Sequence, residues 1–123
     1  MTSLPDCFAK LTSLTTLDLR ESLTELPRCI GELTQLQFLD IGYCNFKALP
    51  KPLCKLTWLQ TLSLNCCAEV ESLPDAFGDL PVLQKLDLSG RKALKTFPVS
   101  FDKLVAFTEL DIRDSETVMI PEL

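Results

Sequence analysis

Six Leu-Pro-type steps punctuate this 123-residue chain at nearly even intervals, and they restrict its fold more tightly than any other feature. Leu4-Pro5, Leu26-Pro27, Leu49-Pro50, Leu73-Pro74, Phe97-Pro98 and Ile120-Pro121 lie 22, 23, 24, 24 and 23 residues apart. Between them runs a second comb, Leu11-x-x-Leu14-x-x-Leu17-x-Leu19. It returns as Leu33/Leu36/Leu39/Ile41, Leu56/Leu59/Leu62/Leu64, Leu80/Leu83/Leu86/Leu88 and Leu104/Phe107/Leu110/Ile112. A unit this short cannot bury its apolar face alone, so neighbouring units must stack to share a core. The pattern predicts an α/β solenoid of about five coils of 22–24 residues, with short parallel strands on a concave face and short helical turns and loops on a convex one. With 46% apolar residues the chain suits a single domain over residues 1–123, read as a segment of a longer array without caps.

One coil can be followed residue by residue. The x-Leu-x-Leu-x alternation reads as a strand with leucines inward and the intervening residues outward. At the Leu-Pro step the proline holds φ near −65° and ends any strand. The stretch that follows, as in Pro74-Asp-Ala-Phe-Gly-Asp-Leu80, suits a short helical turn with proline at its start. Its apolar member forms a further core column of Phe8, Ile30, Leu53, Phe77 and Phe101.

Four outward columns then make up the concave surface. The first is Thr16, Phe38, Thr61, Lys85, Glu109, and the second is Asp18, Asp40, Ser63, Asp87, Asp111. The third is Arg20, Gly42, Asn65, Ser89, Arg113, and the fourth is Glu21, Tyr43, Cys66, Gly90, Asp114. Carboxylates one strand apart in a lane repel each other. Arg20, Lys85 and Arg113 each lie one alternation from an aspartate and offset part of this, whereas Asp40, between Phe38 and Gly42, has no cation in its own strand.

Twelve basic against seventeen acidic side chains leave a net charge of −5, which disfavours a phosphate backbone as partner. No run reaches the roughly 18–20 apolar residues of a membrane span. The opening Met-Thr-Ser-Leu-Pro-Asp lacks the regions of a signal peptide. The six cysteines fall inside the repeat register: Cys44 and Cys67 at an inward position after the strand, Cys7 and Cys29 in one column on the opposite side, Cys54 beside them. They read as small buried thiols of a reducing compartment, although a Cys7–Cys29 bridge between adjacent coils is conceivable. There is no Asn-x-Ser/Thr sequon. A cytoplasmic location is expected.

The chemistry of the outward residues points to binding rather than catalysis. The chain has no histidine, the commonest general base and metal ligand. Cys66 and Cys67 face opposite ways, and no second pair has zinc spacing. A nucleophilic Cys66 would need a positive neighbourhood, and its lane offers Glu21, Tyr43 and Asp114. Pairs such as Asp18/Asp40 imitate an acid/base couple or a calcium site, but on an open sheet they read as a solvated acidic lane. No enzymatic activity and no cofactor or metal is expected. The candidate partner contacts are the out-of-pattern aromatics Phe38, Tyr43 and Trp58, together with Asp18, Asp40, Asp87 and Asp111. Aromatics are enriched at binding hot spots, although single exposed ones are common on any surface.

The full pattern L-P-x-x-Φ-G-x-L-x-x-L-x-x-L-D-L-x-x-C/S covers essentially the whole chain. It resembles the leucine-rich repeat family, and in particular the plant-type cytoplasmic repeats that follow nucleotide-binding modules in disease-resistance receptors. Leu62-Ser-Leu-Asn-Cys-Cys-Ala-Glu-Val-Glu-Ser-Leu-Pro74 and Leu86-Asp-Leu-Ser-Gly-Arg-Lys-Ala-Leu-Lys-Thr-Phe-Pro98 carry the likeness. The resemblance implies recognition of a protein or peptide, and in resistance receptors also autoinhibition of an attached switch. Similar repeats occur in Ras-group signalling scaffolds and in bacterial effectors with ligase domains. Two features depart from the pattern: no G-x-x-x-x-G-K-S/T occurs, and Arg91 stands at the inward position held elsewhere by Ser22, Cys44, Cys67 and Ser115. Burying an unpaired guanidinium is costly, so Arg91 is expected to turn outward on a bulged loop beside Gly90.

Three functions follow from this reading. The leading one is a recognition module whose concave face binds a protein or peptide carrying a basic patch. The others are a self-assembling structural repeat and the regulatory arm of a ligase or kinase whose catalytic domain lies elsewhere. End-to-end self-association is expected if the strands around Leu17–Leu19 and Leu110–Ile112 present unpaired edges.

Overall fold

A computed structural model of the chain describes residues 13–21, 26, 28–44, 47–67, 70, 73–90, 98, 100, 103–104 and 106–111. Five three-residue strands, β1 (Thr16–Asp18), β2 (Phe38–Asp40), β3 (Thr61–Ser63), β4 (Lys85–Asp87) and β5 (Glu109–Asp111), lie parallel in sequence order. The register never slips: Leu17, Leu39, Leu62, Leu86 and Leu110 sit side by side, as do Thr16, Phe38, Thr61, Lys85 and Glu109. A one-residue slip would turn every leucine outward, so the comb itself pins the pairing.

Between strands the chain returns through 3₁₀ turns at Arg28–Glu32, Lys51–Lys55 and Asp75–Asp79. The expected helical turns are thus present, but each is a tight five-residue segment rather than an α-helical one. Pro50 and Pro74 stand just before the turn, in extended backbone with φ −72° and −58°. Ile30, Leu53 and Phe77, the apolar members of these turns, are fully buried. So are Leu33, Leu36, Leu39, Leu56, Leu59, Leu62, Leu64, Leu83 and Leu88, forming one continuous core.

On the convex side the coils approach closely where the sequence places glycine. A Cβ on Gly78 would stand 1.6 Å from the Ser100 carbonyl oxygen, and one on Gly31 would stand 2.7 Å from that of Pro52. At Gly78 the contact is also polar: its N–H donates to Ser100 Oγ (2.9 Å), and that hydroxyl donates to the Asp75 carbonyl (2.5 Å).

The inward thiols do what their position predicts. Cys67 Sγ donates to the Ile41 carbonyl of the preceding coil (3.0 Å), and Cys44 Sγ to the Leu19 carbonyl (3.5 Å). Cys54 is half-buried, and desolvation with Asp79 nearby pushes its thiol up to about 11. Cys44, Cys54 and Cys66 carry free thiols. The expectations for Cys7, Phe8, Ser22, Arg91, Phe101, Ile112, Arg113, Asp114, Ser115 and both chain ends fall outside the described residues.

Candidate functional site: the concave face and its rim

β1, β2, β3 and β4 each leave the sheet through a turn built the same way. The second-column residue turns back to accept from the backbone two residues on. Asp18 Oδ1 accepts the Arg20 N–H (3.1 Å), Asp40 Oδ1 that of Gly42 (2.9 Å), and Asp87 Oδ1 that of Ser89 (2.9 Å). Ser63 Oγ lies 3.5 Å from the Asn65 N–H in the same role. The aspartate lane is therefore a row of turn acceptors as well as a charged surface.

The residue that follows enters the left-handed region: Glu21, Tyr43, Cys66 and Gly90 have φ of 63°, 59°, 59° and 70°. Only glycine adopts this without steric cost. What holds the others there is a second ladder. The N–H of Glu21 donates to Gly42 O (3.0 Å), that of Tyr43 to Asn65 O (2.8 Å), and that of Cys66 to Ser89 O (2.9 Å). The fourth column is thus the place where one coil is bonded to the next, a role to which Gly90 is the sequence clue.

Arg20 organises the β1–β2 end. Its guanidinium grips Asp18 through Nε (3.0 Å) and Nη2 (3.0 Å), and Nε lies 3.6 Å from Asp40 Oδ2. The side-chain hydrogen bond from Arg20 holds the Asp18 carboxyl below its usual range, and the same bond raises Arg20. Asp40 therefore finds its cation across the strand pair rather than along its own strand, and its side chain is only 17% exposed. Tyr43 sits on the same rim, 51% exposed. Chiefly its interaction with the Cys66 side chain, with desolvation and Glu21 adding to it, raises the Tyr43 phenol above its ordinary value.

The candidate residues do not form one site. Asp18, Arg20, Glu21 and Tyr43 line a depression at the rim. A separate open depression of about 280 Å³ spans β2 to β5. Phe38, 38% exposed, and Asp40 form one end; Thr61 and Ser63 form the middle; Lys85, Asp87, Glu109 and Asp111 form the other. Trp58, 53% exposed, lines neither and stands at the strand-entry edge. Lys85 and Glu109, in register across β4 and β5, were not singled out from the sequence. Their signal was that this first column changes chemistry at nearly every coil. Among the described residues there is no cluster of three or more potential metal ligands, and no helix is long and apolar enough to cross a membrane.

Comparison with known proteins fits this geometry. The Leucine Rich Repeat family model matches residues 35–56, the stretch from before β2 to the end of the second 3₁₀ turn. A 51-residue stretch, 42% of this chain, is 41% identical to TMV resistance protein N of Nicotiana glutinosa, of which it spans 4%. A solved leucine-rich repeat protein of Leptospira interrogans superposes on 98% of the chain with a TM-score of 0.89 and 26% identity. The chain spans 31% of that protein. The leucine-rich repeat domain of the type III effector XopL shares the fold over 91% of this chain and 48% of its own, with a TM-score of 0.64 and 21% identity. By its repeat comb, its unbroken parallel register and these matches, the chain has the fold of a leucine-rich repeat solenoid, with the family's repeat matched at residues 35–56.

Proposed function

We propose that this chain is a recognition module that binds a protein or peptide on its concave face. One observation carries the reading: an exposed phenylalanine, Phe38, stands in an open depression whose other lining side chains are mostly polar or charged. A large apolar side chain held in water on a rigid sheet costs solvation that a partner would recover. Leucine-rich repeats are generally non-enzymatic interaction scaffolds, and the stacked faces of a solenoid provide long surfaces rather than closed cavities. The partly matching resistance protein supports a place in a cytoplasmic immune receptor, as its sensing or autoinhibitory part. Asp87 and Asp111 favour a partner with a basic patch, while Tyr43 and Asp18 offer a second contact at the rim.

The test is capture of partners from the source cell with the parent chain and with Phe38→Ala. A true partner is retained by the parent and binds the variant about 1–3 kcal/mol more weakly, with the fold intact. Equal binding by both would remove Phe38 from the interface and the concave depression with it.

A further inference from the structure

The depression between β2 and β5 is ordered chemically along the sheet. Phe38 on β2 offers an aromatic ring, Thr61 on β3 a hydroxyl, Lys85 on β4 an ammonium group. Carboxylates of Asp87, Glu109 and Asp111 close the far end on β4 and β5. Asp40, beside Phe38 in the same depression, and Asp18 on β1 are engaged by Arg20. In Asp87 both bonds from Ser89, N–H at 2.9 Å and Oγ at 2.5 Å, fall on Oδ1.

We propose that the depression takes an extended peptide that crosses the strands, with an apolar side chain over Phe38 and a lysine or arginine four residues further on. The charge pattern selects the cation, since Asp87, Glu109 and Asp111 outnumber Lys85 among the residues that line that end of the depression. The spacing follows from geometry. Strands lie about 4.8 Å apart, so the two-and-a-half steps from β2 to between β4 and β5 span about 12 Å. An extended peptide rises about 3.3 Å per residue and alternates its faces, so residues on one face at i and i+4 are about 13 Å apart. Those at i and i+2 are about 7 Å apart and reach only β3. Lys85, between the two anchors, lies under the peptide backbone, where it can donate to a carbonyl. This inference rests on the concave-face reading above.

The test uses the full chain and three nine-residue Gly/Ser peptides with Leu and Arg separated by two, four or six positions. Titrations are followed by backbone amide shifts. The four-residue spacing should bind at least tenfold more tightly than the others and shift amides of β2 to β5. Asp87→Asn with Asp111→Asn keeps the turn acceptor but removes charge, and should cost about tenfold and flatten the salt dependence. Glu32→Gln, on an exposed 3₁₀ turn away from the sheet, should bind as the parent does. Retained amide dispersion in each variant verifies the fold. Equal affinity for all three spacings, with shifts at β2, would overturn the spacing and cation rule while leaving concave binding in place. Shifts confined to other surfaces, or none at millimolar peptide, would overturn both.

Discussion

Replacing Gly78 with alanine tests the coil-to-coil packing at its tightest point. The added methyl carbon would sit 1.6 Å from the Ser100 carbonyl oxygen, which belongs to backbone and cannot rotate away. Carbon and oxygen need roughly twice that distance, so the fourth and fifth coils must part on the convex side. Parting them breaks the Gly78–Ser100 and Ser100–Asp75 hydrogen bonds. Two such bonds are worth about 1 kcal/mol each, and overpacking adds about 1–3 kcal/mol. The sum, about 3–5 kcal/mol, is a large share of the roughly 5–15 kcal/mol that stabilises a domain. Urea unfolding followed by circular dichroism measures it. In a solenoid each coil contacts only its neighbours, so amide exchange should accelerate in β5 more than in β2. Gly31→Ala meets the Pro52 oxygen at 2.7 Å and should cost less, about 1–2 kcal/mol. A Gly78→Ala chain within 0.5 kcal/mol of the parent (~0.5, the size of a neutral surface change), or less affected than Gly31→Ala, would refute the argument.

Three further outcomes are expected. Cys67→Ala leaves the buried Ile41 carbonyl without its thiol donor and should cost about 1–3 kcal/mol in urea unfolding, with Cys67→Ser recovering part of it. Asp18 has a folded carboxyl below its ordinary 3.8, so its contribution is present above that pH and is lost as pH falls through the lower folded value. Asp18→Asn should therefore flatten the acid limb of stability below about pH 4, and an unchanged limb would remove the Arg20 contact from the balance. Cys54, pushed up to about 11 from 9.0, should carry about a hundredfold less thiolate at pH 8 than an ordinary thiol. Iodoacetamide labelling read by mass spectrometry should find it modified more slowly than Cys66.

The fold was legible because the core leucines recur in step, and a fixed period implies stacking whatever lies between. The inward place of Cys44 and Cys67 was legible for the same reason, since the register carries them to the strand exit. Whether Pro74–Leu80 would be α or 3₁₀ was not, because one buried phenylalanine in five residues fits either winding. Alternation placed Asp18, Asp40, Asp87 and Asp111 outward, but the work of Asp18, Asp40 and Asp87 as acceptors for the amide two residues on depends on the turn's path. Arg20 reaching Asp40 was hidden by reading charges along a strand; the partner lay across it. Phe38 and Tyr43 belong to one coil and both face the concave side, yet the turn sends them to different depressions.

The left-handed turns divide the concave face into positions that can be rewritten and positions that cannot. Second-column residues must accept an amide hydrogen, and third-column carbonyls must accept an N–H of the preceding coil. Fourth-column residues must tolerate φ near +60°. The first column bears none of these side-chain duties, and it holds threonine, phenylalanine, threonine, lysine and glutamate where the second holds aspartate or serine. A redesign that alters only Thr16, Phe38, Thr61, Lys85 and Glu109 could therefore exchange one binding preference for another while the scaffold beneath stays as stable as before.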